Sequence, residues 1–361
     1  MDKLKIGICV LKKINSINKL AYIVGGAVRD FCLNSPIKDV DITTNATITE
    51  LKNLFEDVVE LSYHAFRVTY LGLTIEVTSF RKDIEYIDHR HPKVSLVDTL
   101  EEDLIRRDFT INAMAMDADY KIIDVYNGQE GLKEKTVRCI GNPMVRFNED
   151  CLRVLRAIEL VARYNFKLDE LILSALNTDY IKYLKEEYVV DMINKIFSYQ
   201  NVMALTYIHK YQLFKSYPFY QVCNDECLKY KYFKPYILFY CLHNFIPNNL
   251  KLSKEIIMES KKVAYLVRNK FSNESLFYGD LKYLDEALIC YNIIYSKQIT
   301  KEDLIVKVDN LPIKSKQDVQ IDFSQIAPNL RSKYLKLVID KILNHNLMNE
   351  NQAINNFLDN L

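Results

Sequence analysis

The stretch "KDVDITT", Lys38 to Thr44, places two aspartates one residue apart in a run otherwise rich in Val, Ile and Thr. Side chains alternate along a strand, so residues i and i+2 project together, and Asp39 and Asp41 read as one face of a strand. Two carboxylates that close repel each other unless a cation or a proton lies between them. A solvated strand edge would also tolerate them, so the meaning of the pair rests on its neighbours.

The first neighbour is "YIVGGAVRD", residues 22–30: a short apolar strand, a Gly25-Gly26 turn, then a helix expected to begin near Ala27. Such a turn lets backbone N–H groups approach a phosphate, and the helix start adds partial positive charge. Arg29 in the first turn adds a full charge. In the second neighbour, "TIEVTSF", Thr74, Glu76 and Thr78 share one strand face while Ile75 and Val77 share the other. Glu76 thus offers a third carboxylate. Three carboxylates can hold two Mg²⁺ ions roughly 3.5–4 Å apart, as in-line phosphoryl or nucleotidyl transfer requires. The third, "EEDLIRRDFTINAMAMD" (101–117), supplies Arg106, Arg107, Asp108 and Asn112, groups suited to phosphate oxygens and a ribose. This charge cluster runs straight into an apolar segment, where idle arginines are not expected.

Bulk properties set the frame. A chain of 361 residues exceeds one comfortable core, so two or more domains are expected. With 49% hydrophobic and 26% charged residues it is ordinary globular material, and a net charge of +1 gives no global pull toward polyanions. No apolar run approaches the ~20 residues of a membrane span, and "MDKLKIGICVLKKINS" carries no small-residue cleavage site. The eight cysteines are scattered, which suggests reduced thiols and a cytoplasmic protein. Cys223 and Cys227 form a lone C-x-x-x-C without a second pair, so structural zinc is not expected. His209, His243 and His345 have no Asp beside them, which speaks against a histidine-aspartate phosphohydrolase.

Texture divides the chain. Residues 21 to about 125 alternate β-rich runs ("AYIVGG", "KDVDITT", "FRVTYLGLTIEVTSF", "KIIDVYNG") with turns, and "YLGLT" predicts a hairpin. "VRDFCLN" and "TITELKNLF" read as helices, the second with Thr47 or Thr49 as N-cap. From about 136 onward the β texture fades, and residues 148–215 and 252–300 carry helical spacing. An α+β head followed by a mostly helical remainder is expected. Within that remainder, "EDCLRVLRAIEL" (149–160) is the most informative stretch. On one helix, Asp150, Arg153 and Arg156 would line one face, with Leu152, Leu155, Ile158 and Ala162 opposite. Read blandly, that row is an Asp–Arg pair on a wet helix, worth a few tenths of a kcal/mol.

"YIVGGAVRD…KDVDITT", "IEVTSFRKD…RHP", "RRDFTINAMA" and "RFNEDCLRVLRA", in this order and spacing, resemble the class II tRNA nucleotidyltransferases. These are the CCA-adding enzymes, with the bacterial poly(A) polymerases as close relatives. The resemblance runs from about residue 20 to residue 166. It implies a nucleotidyltransferase head of DNA polymerase β type over 1–135, a helical neck over 136–200, and a helical body and tail over 201–361 that bind tRNA. By the same resemblance, Asp39 and Asp41 ligate Mg²⁺ and Glu76 completes the carboxylate set. Gly25, Gly26, Arg29 and Arg107 contact the triphosphate, and Asp108 and Asn112 support sugar and phosphates. Asp150 and Arg153 read the incoming base, with Arg156 alongside. The row departs from the family at Glu159, where an arginine is common.

The implied activity is template-independent addition of CCA to the tRNA 3′ end from CTP and ATP, with no membrane and no protein partner indicated. CC-only members lack a loop before the RRD motif; here "RKDIEYIDHRHPKVSLVDTLEEDL" fills that interval. Poly(A) polymerases typically carry a basic C-terminal extension, whereas this sequence finishes "NENQAINNFLDNL". A-addition and polyadenylation stay open as alternatives. So does a catalytically idle tRNA- or nucleotide-binding homologue, although pure binding has no need of three carboxylates.

Overall fold

The computed structural model describes residues 3–199, 201–217, 225–230, 234–246, 252–324 and 326–361; Cys223 lies outside them. The chain divides into two compact units, Met1–Lys215 and Ser216–Leu361.

The first unit begins with helix α1 (Lys3–Asn15), whose Ile6, Val10, Leu11 and Ile14 are buried at helical spacing. It packs on strands β1 (Ala21–Val24) and β2 (Asp41–Thr44). Gly7 permits this approach, since a Cβ there would sit 2.7 Å from Val40 Cγ1. Between β1 and β2 runs helix α2 (Gly26–Cys32). Helix α3 (Ile48–Leu54) follows, started by a capping box in which Thr47 bonds the Glu50 N–H and Glu50 returns the bond to the Thr47 N–H.

Strands β3 (Asp57–Glu60), β4 (Ala65–Tyr70) and β5 (Leu73–Ser79) form a meander, and the expected hairpin turns at Leu71 and Gly72 with φ of 49° and 76°. A separate two-stranded hairpin, β6 (Arg81–Tyr86) with β7 (Pro92–Leu96), precedes helix α4 (Leu100–Leu104). Strands β8 (Ala115–Met116) and β9 (Ile122–Ile123) complete a seven-stranded sheet of order β3-β4-β5-β2-β1-β8-β9. The pair β2–β5 is parallel and the other pairs are antiparallel, so the sheet is mixed. "KIIDVYNG" supplies only the two residues of β9.

After helix α5 (Gly128–Lys133) and strand β10 (Thr136–Val137), helices take over. Helices α6 (Pro143–Glu149) and α7 (Leu152–Tyr164) lead through strand β11 (Lys167–Leu168) to α8 (Glu170–Ala175), α9 (Glu186–Ser198) and α10 (Val202–Lys210). Helix α7 is the axis of this region, packing on α9 and α10 with Val154, Leu155, Ala157, Ile158 and Val161 all buried. It is therefore apolar around more of its circumference than the single stripe expected from sequence.

In the second unit the regular elements among the described residues are helices. Pro235–His243, Lys254–Arg268 and Leu284–Tyr295 pack on one another and bury Ile237, Leu238, Val263, Leu266, Val267 and Cys290. No helix among the described residues is long and apolar enough to cross a membrane. Cys9, Cys32, Cys139, Cys151 and Cys241 are free thiols.

Candidate nucleotide and metal site

Register builds the carboxylate cluster. Val24, the last residue of β1, faces Asp41, and Asp41 faces Glu76 across the parallel β2–β5 pair. The Gly25 turn thus follows β1 directly beside Asp41. Gly25 has φ 74°, a conformation that a side chain rarely adopts, and a Cβ there would lie 3.3 Å from Arg107 Nη1.

Asp41 is accessible to solvent, yet the protein packed behind it, followed by the charges of Glu76 and Asp39, raises its carboxyl above the ordinary range. Arg107 and Arg156 oppose that shift. Strand β2 starts only at Asp41, so Asp39 lies in the segment before it; Val40 between them is buried while both aspartates are exposed, and the two still project to the same side. Pairing with β1 ends at Asp41, and Val40 turns inward against α1. The Asp39 side chain is 87% exposed and meets Lys3 Nζ at 3.5 Å.

Asp39, Asp41 and Glu76 line one cavity of about 350 Å³. Three hard oxygen donors and their mutual repulsion suit a small divalent cation. Among the described residues, no three acidic, histidine or cysteine side chains already converge at metal-binding distance. The donor chemistry fits such an ion.

Next to it lies a cavity of about 390 Å³ lined by Gly25, Gly26, Arg29, Asp41, Arg107, Asp108, Asn112, Asp150, Arg153 and Arg156. Asp41 alone of the expected residues belongs to both cavities. The arginines of its lining are held from behind. Asp103, wholly buried, pairs with Arg106 at 2.9 Å and Arg107 at 3.3 Å. It also accepts the Thr43 hydroxyl at 3.1 Å and the Arg81 N–H at 3.3 Å. Burial pushes the Asp103 carboxyl up, but Arg107, Arg106 and the Arg81 N–H outweigh it and bring it below the usual carboxylate range.

Sequence reasoning missed Asp103. Its signal was there in the spacing, three and four residues ahead of the arginine pair, where one helical turn brings the groups together. Because its folded-state pKa is depressed, Asp103 contributes stability above its unfolded value of 3.8, lost as pH falls through the lower folded value. Asp103→Asn is expected to lose that acid-side increment and to raise KM for nucleotide by about tenfold or more, as the arginines lose their anchor. Melting curves from pH 2 to 7 together with nucleotide KM check both effects.

Arg29 is drawn into a buried network. Its guanidinium bonds Asp30 Oδ1 at 3.0 Å, Asn112 Oδ1 at 2.5 Å and the Tyr164 hydroxyl at 2.6 Å. Asn112 Nδ2 donates in turn to Asp108 at 3.2 Å, and Asp108 pairs with Arg156 at 2.8 Å. Burial alone would raise the Asp108 carboxyl; Arg156 and the bonds from Asn112 and the Phe109 N–H bring it below the usual range. Arg29 thereby links helix α2, the Asn112 turn and the end of α7.

Around Asp150 the structure corrects the expected helical row. Helix α6 stops at Glu149, and Asp150 is extended with φ −133° and ψ 99°. Its Oδ1 accepts the Leu152 N–H at 3.1 Å, so Asp150 caps the start of α7 and stands off the helix that carries Arg153 and Arg156. No Asp150–Arg153 ion pair stands among the described contacts. Asp150 pairs with Arg90 of the hairpin at 2.9 Å. Arg153, buried, donates to Arg146 O at 2.8 Å, Glu149 Oε2 at 3.0 Å and the Tyr86 hydroxyl at 2.7 Å. The hairpin therefore reaches both residues, through Arg90 and Tyr86, and its His89 Nδ1 lies 2.7 Å from Asn148 O. Neither Arg90 nor Tyr86 was singled out from sequence, although both lie in "EYIDHRHP".

Comparison with known proteins places this geometry. The poly A polymerase head domain family matches residues 21–138. A CCA-adding enzyme of Staphylococcus saprophyticus is 31% identical over 92% of this chain and 91% of its own length. One from Bacillus pumilus is 30% identical over 97% and 95%. The Bacillus stearothermophilus CCA-adding enzyme in complex with CTP matches with a TM-score of 0.72 at 23% identity, covering all of this chain (100%) and 98% of that one. The Thermotoga maritima CCA-adding enzyme complexed with tRNA matches with a TM-score of 0.65 at 18% identity over 99% and 95%. At such identities the solved structures show the fold, a mixed-sheet head followed by helices.

Proposed function

Because this chain belongs to the family of CCA-adding enzymes, we propose that it completes tRNA 3′ ends, adding CMP from CTP and AMP from ATP without a nucleic-acid template. The observation that carries this reading is a single cavity lined by the Gly25–Gly26 turn, by arginines and by Asp150 and Arg153, which meets the carboxylate cluster at Asp41. The triphosphate lies along Gly25, Gly26, Arg29 and Arg107, and the base lies against Asp150 and Arg153. The tRNA 3′-hydroxyl oxygen attacks the α-phosphorus, a new P–O bond forms, and the bond to pyrophosphate breaks. No covalent enzyme intermediate is needed. Asp39, Asp41 and Glu76 would hold Mg²⁺, which lowers the pKa of the attacking hydroxyl and neutralises charge on the leaving group. Residues 1–135 act as head, 136–200 as neck, and 201–361 as the region that binds the body of the tRNA. The free thiols of Cys9, Cys32, Cys139, Cys151 and Cys241 suit the cytoplasm.

Incubating the protein with tRNA lacking its CCA and each labelled nucleotide in turn tests the reading. Incorporation of CTP, with ATP accepted only after two cytidines, is the expected result. ATP addition only to tRNA already ending in CC would make it an A-adding enzyme, and long A tracts a poly(A) polymerase. No incorporation at all would leave an idle homologue.

The hairpin gives a second test. Base reading must adapt from a pyrimidine to a larger purine, and Arg90 and Tyr86 couple β6–β7 to both base-side residues. Replacing Glu85–Pro92 by a short Gly-Ser link is expected to spare C addition and impair the final A. Equal loss of both would make the hairpin a scaffold only.

A further inference from the structure

A third cavity, of about 670 Å³, adjoins the two already described. It shares Arg90 and Arg156 with the nucleotide cavity and Asp39 with the carboxylate cavity, so it borders both. Its outer walls carry Tyr188, Tyr199 and Glu159, the residue that interrupts the arginine row of α7.

Helical geometry makes α7 a ruler between the two spaces. Three residues advance about 4.5 Å along the axis. Arg153 lines only the nucleotide cavity, Arg156 lines both, and Glu159 lines only the third. We propose that this third cavity seats the terminal nucleoside of the acceptor RNA strand, with Glu159 accepting a hydrogen bond from its ribose 2′-hydroxyl. The inference rests on the nucleotidyl-transfer reading, which requires a 3′-hydroxyl to reach the α-phosphorus beside Asp41.

Charge argues against a second triphosphate here. Of the five cations of the lining, four are already engaged, Arg156 with Asp108, Arg163 with Asp30, Arg90 with Asp150 and Lys195 with Asp191, which leaves Lys38 to face a triphosphate. A polyanion would meet Asp39, Glu159 and Asp191 in the same space. An uncharged group rich in hydroxyl donors meets acceptors instead, and aromatic rings are the usual seat for an unstacked base. Glu159 Oε1 accepts the Tyr199 hydroxyl at 3.4 Å, a long bond that leaves its carboxylate with acceptor capacity to spare. The terminal base changes at each step of CCA addition, whereas the ribose does not. A fixed carboxylate can therefore serve every step only through the ribose.

The test compares two tRNAs lacking CCA, one ending in a ribonucleoside and one in its 2′-deoxy counterpart. With the wild-type enzyme, KM for the deoxy-ended tRNA is expected to be about tenfold higher, the loss of one hydrogen bond to a charged acceptor. Glu159→Ala is expected to raise KM for the ribo-ended tRNA to the deoxy value, with KM for CTP within about twofold of wild type. Tyr199→Phe keeps the ring and the carboxylate, and so retains the discrimination. If Glu159→Ala folds poorly, Glu159→Met keeps the stem without an acceptor, and the same convergence is expected. Equal use of both tRNAs by wild type overturns the proposal, as does discrimination that survives loss of Glu159 or a parallel rise in KM for CTP. A wild-type protein that extends no tRNA fails the proposed activity alone, because filter binding of the two RNAs without nucleotide still decides the cavity.

Discussion

Asp41→Asn is expected to cut nucleotidyl transfer by on the order of a thousandfold or more while leaving the fold intact. Asp41 is the residue common to the nucleotide and carboxylate cavities, so in the proposed reaction it would meet both the reacting phosphate and the cation. It serves no core: it is solvent-accessible, and its strongest electrostatic neighbours include the like charges of Glu76 and Asp39. Neutralising it relieves repulsion, so thermal stability without divalent cation should hold or rise. The two effects separate in one experiment. Wild-type melting should climb with added Mg²⁺, because a ligand that binds only the native state stabilises it by mass action. Asp41→Asn should lose most of that climb together with its turnover. Retained turnover with Mg²⁺ as sole cation would sink the carboxylate reading.

That Asp41 and Glu76 belong together was legible in the sequence, because strand alternation is a local rule and β5 obeys it: Ile75 and Val77 are buried while Thr74 and Glu76 are exposed. The hairpin at Leu71–Gly72 and the cap at Thr47 were legible for the same reason. Two extrapolations ran periodicity past an element's end: Asp39 still shares a side with Asp41 though outside the strand, whereas Asp150 leaves its helix. Asp39 falls before β2 because pairing with β1 stops at Asp41, and Asp150 falls before α7 because its carboxylate caps that helix. Element ends depend on partners distant in the chain. So do the positions of Arg90 and Tyr86, which meet α6 and α7 some sixty residues on, at separations of 60 for Arg90–Asp150 and 67 for Tyr86–Arg153. Helix α1 went unread because its apolar run is short, and its role appears only where it packs beneath β1 and β2.

Arg153→Ala is expected to relax nucleotide choice by about ten- to a hundredfold, equivalent to about 1–3 kcal/mol. Cytosine and adenine each present an amine beside a ring nitrogen; a carboxylate accepts from the first and a guanidinium donates to the second. Uracil and guanine turn a carbonyl toward the carboxylate and are refused. In this structure Asp150 and Arg153 are held separately, by Arg90 and by the Glu149–Arg146–Tyr86 set. Two independent anchors can keep an acceptor and a donor side by side without their neutralising each other. The anchors also mean that Arg153→Ala costs stability, since a buried cation with several bonds leaves Glu149 and Tyr86 short of a partner. A loss of total activity is thus ambiguous. The ratio of kcat/KM between nucleotides is not, because the folded fraction multiplies every nucleotide alike and cancels. Measured on tRNA ending before its CCA, UTP and GTP should gain relative to CTP and ATP. If all four fall by one factor, Arg153 is scaffold, and selection by these two side chains is wrong even though the enzyme still folds.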